Sequence, residues 1–160
     1  MESGIRSDRL IDECVDRMFV EYGKRWDAKT HPYEGIPGLL DCLAGRSIPI
    51  SIVSNKEHFF TLRVVEKFLG RWKFHAVFGE RSGVACKPDP VSLIEAAGIM
   101  QLERNSIICL GDSGSDMAAA VNAGMYPAGA LWGFREAGEL LDSGARVLVK
   151  QPADLTEFFI

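Results

Sequence analysis

The sequence lacks the features that mark several large classes of protein. None of its apolar stretches approaches the roughly 18 residues that a membrane-spanning helix needs. Its first residues contain no apolar core of a secretion signal, so no such signal is expected. It has no run of lysine and arginine, and its formal net charge is −4. Nucleic acid and anionic membranes are therefore not expected as partners.

The cysteines also lack a recognisable chemical pattern. No two of the four are separated by two residues, the spacing typical of many metal and redox sites. Cys14, Cys42 and Cys109 lie within apolar patterns, which predicts buried thiols, whereas Cys86 lies in a predicted loop. Reduced, unpaired cysteines are typical of the cytoplasm, which is the expected compartment.

What the sequence does contain is a regular alternation of short apolar runs with helical patterns. The length of 160 residues and the hydrophobic fraction of 47% suit a single globular core. The predicted strands are 48–53, 75–78, 106–110, 127–131 and 145–149. The predicted helices are 7–26, 37–43, 57–69, 90–99, 115–123, 134–141 and 152–158. Strands that alternate with helices predict an α/β protein with a parallel sheet covered on both faces.

Ligands of such sheets bind at the carboxyl ends of the strands, so the residues there are the candidates for a site. Ser54 and Asn55 follow the first predicted strand and could grip a phosphate oxygen, although both are also common helix caps. Lys87 lies in a loop stiffened by Pro88 and Pro90. Its ammonium could neutralise a phosphate or a carboxylate, or it could be an ordinary surface lysine.

Two acidic residues follow the third predicted strand, which we expect to be the most buried one. Gly111 allows a sharp turn, and Asp112 and Asp116 are one helical turn apart. Two carboxylates that face one point suit Mg²⁺, which takes only one or two such ligands from a protein. The alternative is that Asp112 only caps the helix that follows.

These candidates occur in a fixed order, each after a strand, and this arrangement resembles the haloacid dehalogenase superfamily. The resemblance covers roughly residues 5 to 158 and is greatest to the phosphoglycolate-phosphatase-type branch. Four further segments are similar to that branch: 33–37, 54–56, 87–90 and 131–135. The resemblance implies a Rossmann-like, three-layer α/β/α core in residues 33–160. It also implies that residues 1–32 are the last helix of a helical cap.

The resemblance further implies an activity and a set of site residues. Members of this branch are phosphatases that hydrolyse a small phosphomonoester with Mg²⁺ through an aspartyl-phosphate. Ser54, Asn55 and Lys87 would bind the phosphate, with Ser54 and Lys87 also acting in catalysis. Asp112 and Asp116 would hold Mg²⁺. The expected partners are a small phosphorylated metabolite, such as phosphoglycolate, and a second copy of the chain in a homodimer.

One motif of the family is missing from the sequence. The family's first strand ends in Asp-x-Asp-x-Thr, whose first aspartate attacks phosphorus, but no two aspartates here are separated by one residue. We therefore expect the attacking aspartate, its central strand and most of the cap to lie outside these residues. The sheet would then close the gap, gain a strand from another chain, or be poorly stable.

The missing motif leaves a second hypothesis for the function. The chain could be a catalytically silent remnant that binds phosphate or a protein partner. A third hypothesis, a phosphoacceptor signalling domain, is disfavoured because that chemistry needs acids at strand ends near the N-terminus. The early acids of this sequence lie on a predicted helix.

Overall fold

A computed structural model describes the backbone of residues 2–159 and the side chains of residues 9–159. The chain divides into two compact units, Met1–His31 and Pro32–Ile160. The first unit consists mainly of helix α1 (Glu2–Arg25), which begins before the predicted start at Ser7, a residue whose side chain lies outside the described ones. No helix in the described part of the chain is long and apolar enough to cross a membrane.

The apolar face that was predicted for α1 is present, but it is not buried. Leu10 is 61% exposed and Met18 is 57% exposed. Cys14, which lies between them on the same face, is exposed as well. The prediction of a buried thiol at Cys14 was therefore wrong, because periodicity identifies an apolar face without identifying what covers it.

The second unit alternates helices with strands. Its elements are α2 (Ile36–Gly45), β1 (Ile52–Glu57), α3 (His58–Leu69), β2 (Val77–Glu80), α4 (Val91–Met100), β3 (Ile108–Gly111), α5 (Gly114–Ala123), β4 (Tyr126–Ala130), α6 (Ala137–Asp142) and β5 (Val147–Val149). Two short 3₁₀ helices, Arg104–Ser106 and Pro152–Phe158, complete it. All strand pairs among these elements are parallel, which confirms the predicted α/β class.

The strands form two separate half-sheets. β1 pairs with β2, and β3, β4 and β5 pair in that order. Within residues 2–159 no backbone ladder joins β1 to β3. A cavity of about 510 Å³ lies between them, and its lining includes Ile52 and Val53 of β1 and Cys109 and Leu110 of β3. The sheet was expected to close the gap, to gain a strand from another chain or to be poorly stable. The structure shows that the gap is not closed.

The open gap changes which strand is most buried. β4 has four buried residues out of five, whereas all four residues of β3 are only half-buried. The prediction that the strand before Asp112 is the most buried one was therefore wrong. β4 lies between two neighbours, whereas β3 has a partner on one edge only. The core of this unit is accordingly centred on Ala128 of β4, which packs with Leu39, Leu43 and Val149.

Candidate functional site

The first predicted site residue, Ser54, lies within β1 and not after it. The strand was expected to end before Ser54, but β1 extends from Ile52 to Glu57. Its register with β2 is irregular between Val53 and Glu57. Ser54 lies in that irregular segment, where its Oγ accepts a hydrogen bond of 3.1 Å from the N–H of Lys56.

Ser54 and Asn55 are not the caps of the following helix. Glu57 is the N-cap of α3, and its carboxylate accepts a hydrogen bond from the N–H of Phe60 at 3.0 Å. The capping alternative for Ser54 and Asn55 is thereby excluded. The role of Ser54 as a phosphate ligand stays a prediction.

Asn55 holds the loop that carries Lys87. Its Nδ2 donates to the carbonyl of Lys87, and its Oδ1 accepts from the N–H of Lys87, both at 2.9 Å. Asn122 of α5 donates to the carbonyl of Pro88 at 3.0 Å. The side-chain amides of Asn55 and Asn122 therefore fix the backbone of Lys87 and Pro88. Nothing in the sequence predicted the contact made by Asn122.

Lys87 points inward and links β1 to the first turn of α5, the helix that follows β3. Its Nζ donates to Oδ1 of Asp116 at 2.6 Å and to the carbonyl of Val53 at 2.8 Å. The side chains of Lys87 and Asp116 are only 12% and 16% exposed. The alternative of an ordinary surface lysine is thereby excluded. An ion pair this well shielded from water interacts far more strongly than one at the surface.

The two predicted metal-binding aspartates have different surroundings. Oδ2 of Asp116 accepts hydrogen bonds from the N–H and the Oγ of Ser113, at 3.1 and 2.6 Å. Ser113 is the N-cap of α5, so Asp112 is not the cap. Oδ2 of Asp112 instead accepts from the N–H of Phe134 at 3.1 Å. The capping box of Ser113 and Asp116 was visible in the sequence as a Ser-x-x-Asp pattern.

Each aspartate packs against a glycine. A Cβ built on Gly111 would overlap the side chain of Asp116, with Cγ only 2.6 Å away. A Cβ built on Gly133 would overlap Asp112, whose Cγ would also lie at 2.6 Å. These glycines leave space for the carboxylates, and only the tertiary structure identifies Gly133 as a neighbour of Asp112.

The donor set suits a divalent cation of the Mg²⁺ type. Among residues 9–159 no group of three or more histidine, cysteine, aspartate or glutamate side chains could hold a metal. Mg²⁺ fits a site with one or two carboxylates because it retains several waters. Oδ1 of Asp112 accepts no hydrogen bond from the residues that the structure describes, whereas both oxygens of Asp116 are engaged. Asp112 is therefore the more accessible of the two predicted ligands.

Substitution of Asn55 by aspartate tests whether it positions Lys87. The variant keeps an acceptor for the N–H of Lys87 but loses the donor to its carbonyl. We expect the free energy of unfolding to fall by about 0.5–1.5 kcal/mol, which is the net contribution of a typical hydrogen bond. Denaturant unfolding measures the change. Asn105→Asp is the control, because Asn105 is exposed, and an equal loss in both variants would contradict the assignment.

Cys109 beside this site should be chemically inert. The pKa of its thiol is raised from 9.0 to about 12, mainly by burial. The charge of Lys87 lowers this pKa and the charge of Asp116 raises it, and both effects are smaller than that of burial. We expect iodoacetamide at pH 8 to modify the exposed Cys14 and to leave Cys109 unmodified. Mass spectrometry of the peptides measures the alkylation of each cysteine. Rapid alkylation of Cys109 would contradict the prediction.

The same pKa shift predicts how stability depends on pH. The folded state holds the thiol proton up to about pH 12, whereas the unfolded thiol loses it near pH 9. The unfolded state therefore binds fewer protons above pH 9, and the free energy of unfolding should fall as pH rises from there. Cys109→Ala should show a shallower decline, and equal slopes in both proteins would contradict the prediction.

Comparison with known proteins gives consistent matches. A model of the family described as haloacid dehalogenase-like hydrolase matches residues 4–130. A phosphoglycolate phosphatase of Psychrobacter arcticus is 26% identical over 134 residues, which are 84% of this chain and 58% of the relative. A phosphoglycolate phosphatase of Xylella fastidiosa is 31% identical over 127 residues, which are 76% of this chain and 55% of the relative. The chain thus spans less than three fifths of the length of these relatives.

The fold matches solved structures as well. One is a protein from Lactobacillus delbrueckii subsp. bulgaricus that is provisionally named a phosphoglycolate phosphatase. It is 31% identical and superimposes with a TM-score of 0.80, covering 86% of this chain and 57% of that chain. The predicted similarity to the haloacid dehalogenase fold, with a Rossmann-like core, is confirmed by this match.

Proposed function

The chain belongs to the haloacid dehalogenase-like hydrolase family, and from that premise we propose that it serves in the hydrolysis of a small phosphomonoester. The substrate we propose is phosphoglycolate or a similar small phosphorylated metabolite, in the cytoplasm. The support for this choice is that the two relatives described above are phosphoglycolate phosphatases. We also propose that residues 1–32 are the last helix of a helical cap.

One observation carries the proposal: the shielded pair of Lys87 and Asp116 beside Asp112. The lysine lies between Val53 of β1 and Asp116 in the first turn of α5, the helix that follows β3. In a parallel sheet, the segments that follow the strands form the ligand site. A fixed ammonium and oxygen ligands for a cation are the elements that phosphoryl transfer requires, because its catalysis depends mainly on positioning and on charge stabilisation.

Each site residue of this chain would have its own role in the reaction. Ser54 would donate its hydroxyl to a phosphate oxygen, and Lys87 would neutralise charge between the phosphate and an attacking carboxylate. Asn55 would keep Lys87 in place through its two backbone hydrogen bonds. Asp112 and Asp116 would hold Mg²⁺, which when bound offsets negative charge on the phosphoryl group. The attacking aspartate would come from outside these 160 residues, since no Asp-x-Asp pair is present.

Phosphate binding and turnover test the proposal together. We expect the purified chain to bind orthophosphate in a Mg²⁺-dependent manner by isothermal titration calorimetry. We expect Asp112→Asn to weaken that binding at least tenfold, because a carboxylate ligand of the cation is lost. Asp142→Asn, at the end of α6, is the control. If phosphate bound equally with and without Mg²⁺, or did not bind, the proposal would be wrong.

The absence of an Asp-x-Asp pair also favours a second candidate function, a silent remnant that binds phosphate without cleaving it. Assays of p-nitrophenyl phosphate and 2-phosphoglycolate with Mg²⁺ separate the two. Turnover that disappears in Asp112→Asn would exclude the silent remnant. Phosphate binding with no turnover, even when the attacking segment is supplied, would favour it.

A further inference from the structure

We infer that Arg135 recognises a second anionic group of the substrate, so that the site selects phosphomonoesters with a carboxylate close to the phosphate. Arg135 belongs to residues 131–136, which join β4 to α6 and which we call the β4–α6 loop. This inference rests on the proposed function and deepens it, because it assigns the choice between substrates to one residue of this chain.

The β4–α6 loop lies directly against the predicted metal site. The N–H of Phe134, the residue before Arg135, donates to Oδ2 of Asp112 at 3.1 Å. A Cβ built on Gly133 would lie only 2.6 Å from Cγ of Asp112. Consecutive Cα atoms are about 3.8 Å apart, so the backbone of Arg135 is also close to this aspartate.

The side chain of Arg135 is held beside the start of α5. Its Nε lies 3.7 Å from Oε1 of Glu139. The same oxygen accepts a hydrogen bond of 3.2 Å from the N–H of Gly114, the first residue of α5. The two nitrogens are therefore at most about 7 Å apart. Gly114 lies midway between Asp112 and Asp116 in the chain, so the charge of Arg135 is beside the segment that joins the two predicted metal ligands.

Gly114 allows α6 to approach this segment closely. A Cβ built on Gly114 would lie 2.6 Å from Oγ of Ser143 and 3.3 Å from Oε1 of Glu139. A larger residue here would push α6 away, together with the carboxylate that holds Arg135. The glycine therefore places the guanidinium next to the site.

The charges around this segment explain why a substrate carboxylate requires a cation of its own. Asp112, Asp116 and Glu139 already place three carboxylates here, and a fourth would be repelled. Lys87 donates to Asp116 and is the residue that we assign to the phosphate. Arg135 is the only basic residue in the β4–α6 loop and α6, so it is the cation that this part of the chain offers to a carboxylate.

The present partner of Arg135 leaves it available to a ligand. The side chains of Arg135 and Glu139 are 57% and 43% exposed, and 3.7 Å is longer than a hydrogen bond. An exposed pair of this kind contributes little to stability, so a ligand can replace it easily. The planar guanidinium matches a carboxylate with two parallel hydrogen bonds. The expected substrates therefore carry their carboxylate a few bonds from phosphorus, as phosphoglycolate does.

Two ligands that differ in one group test the inference. Ethyl phosphate has the skeleton of 2-phosphoglycolate with a methyl group in place of the carboxylate. We expect the full chain with Mg²⁺ to bind 2-phosphoglycolate at least tenfold more tightly in titration calorimetry, because only that ligand reaches Arg135 with a charged group. In Arg135→Met the two ligands should bind with equal affinity. Arg104→Met is the control, because Arg104 is exposed and lies before β3, at the opposite end of that strand from Asp112.

Two further variants separate recognition from a structural role. Glu139→Gln removes the charge that competes for Arg135 but keeps an oxygen for the N–H of Gly114, so the preference for 2-phosphoglycolate should rise at least threefold. Arg135→Lys keeps the charge without the planar fork and should retain part of the preference. The NMR signal of the Arg135 Nε–H should shift with 2-phosphoglycolate and not with ethyl phosphate. Circular dichroism verifies that each variant is folded.

The outcomes distinguish this inference from the proposed function. Equal affinity of the unaltered chain for the two ligands would overturn the inference and leave the proposed function intact, since the phosphate group would still bind. A preference that survives Arg135→Met, or that Arg104→Met abolishes as well, would also overturn it. If neither ligand binds in the presence of Mg²⁺, the proposed function fails and this inference fails with it.

Discussion

A Gly133→Ala variant should bind Mg²⁺ at least tenfold more weakly while it remains folded. A methyl group at residue 133 would occupy the position of the Asp112 side chain, with Cγ of the aspartate at 2.6 Å. Asp112 would have to rotate away, and its hydrogen bond from the N–H of Phe134 would break. A carboxylate displaced by about 1 Å can no longer meet the geometry that Mg²⁺ demands.

The control for this variant is Gly138→Ala. Apart from its chain neighbours and the backbone of its own helix, no atom lies within 4 Å of a Cβ at Gly138. The residue is in α6, so alanine should preserve the site and stabilise the helix slightly. Titration calorimetry with Mg²⁺ measures the affinity, and circular dichroism verifies folding. The amide of Phe134 provides a readout without metal, because loss of its hydrogen bond should shift its NMR signal. Unchanged affinity and an unchanged Phe134 signal would show that Gly133 does not position Asp112.

Lys87→Met should lower the free energy of unfolding by about 3 kcal/mol and abolish Mg²⁺-dependent phosphate binding. The variant leaves the carboxylate of Asp116, which is only 16% exposed, without its cationic partner. Removal of one member of a buried ion pair is strongly destabilising for this reason. It also removes the ammonium that we assign to the phosphate, so both stability and binding should change.

Lys24→Met is the matched control for Lys87. The Nζ of Lys24 lies 2.6 Å from Glu21, the same distance as in the Lys87 pair, but both side chains are about 60% exposed. An exposed pair of this kind contributes about 0.5 kcal/mol, so the control should change little. Urea unfolding measures both variants. Equal losses in the two would mean that burial does not strengthen the Lys87 pair.

A double-mutant cycle isolates the interaction between Lys87 and Asp116. Asp116→Asn alone should be destabilising, because it weakens the contacts with both Lys87 and Ser113. The double variant should lose less than the sum of the two single variants, since the second change no longer breaks an intact pair. Strict additivity would indicate that the two side chains do not interact energetically.

The sequence predicted much of this site because its chemistry is local. Lys87, Asp112 and Asp116 occur in short segments next to apolar strands, and parallel sheets bring strand ends to one edge. The contact between Lys87 and Asp116 joins residues 29 positions apart, yet it follows from that rule. The role of Asn55 in holding Lys87 did not follow, because a side chain in an irregular strand segment has no periodic pattern.

Burial was predicted less well than element type. The apolar periodicity around Cys14 predicted a covered face, and the apolar run before Asp112 predicted the most buried strand. Both are at least partly exposed in the structure. A pattern reports which residues favour burial, whereas actual burial depends on a partner surface that the pattern does not contain.

The sequence alone established the α/β class, the order of the elements, the family resemblance and the positions of the candidate acids and lysine. These follow from local periodicity and from short motifs in a fixed order. The three-dimensional arrangement was needed to show the split between β1 and β3, the cavity between them and the two glycines that accommodate the aspartates. Those features depend on contacts between residues far apart in the chain. Such contacts are determined by packing and backbone pairing, and not by the local preferences of the residues.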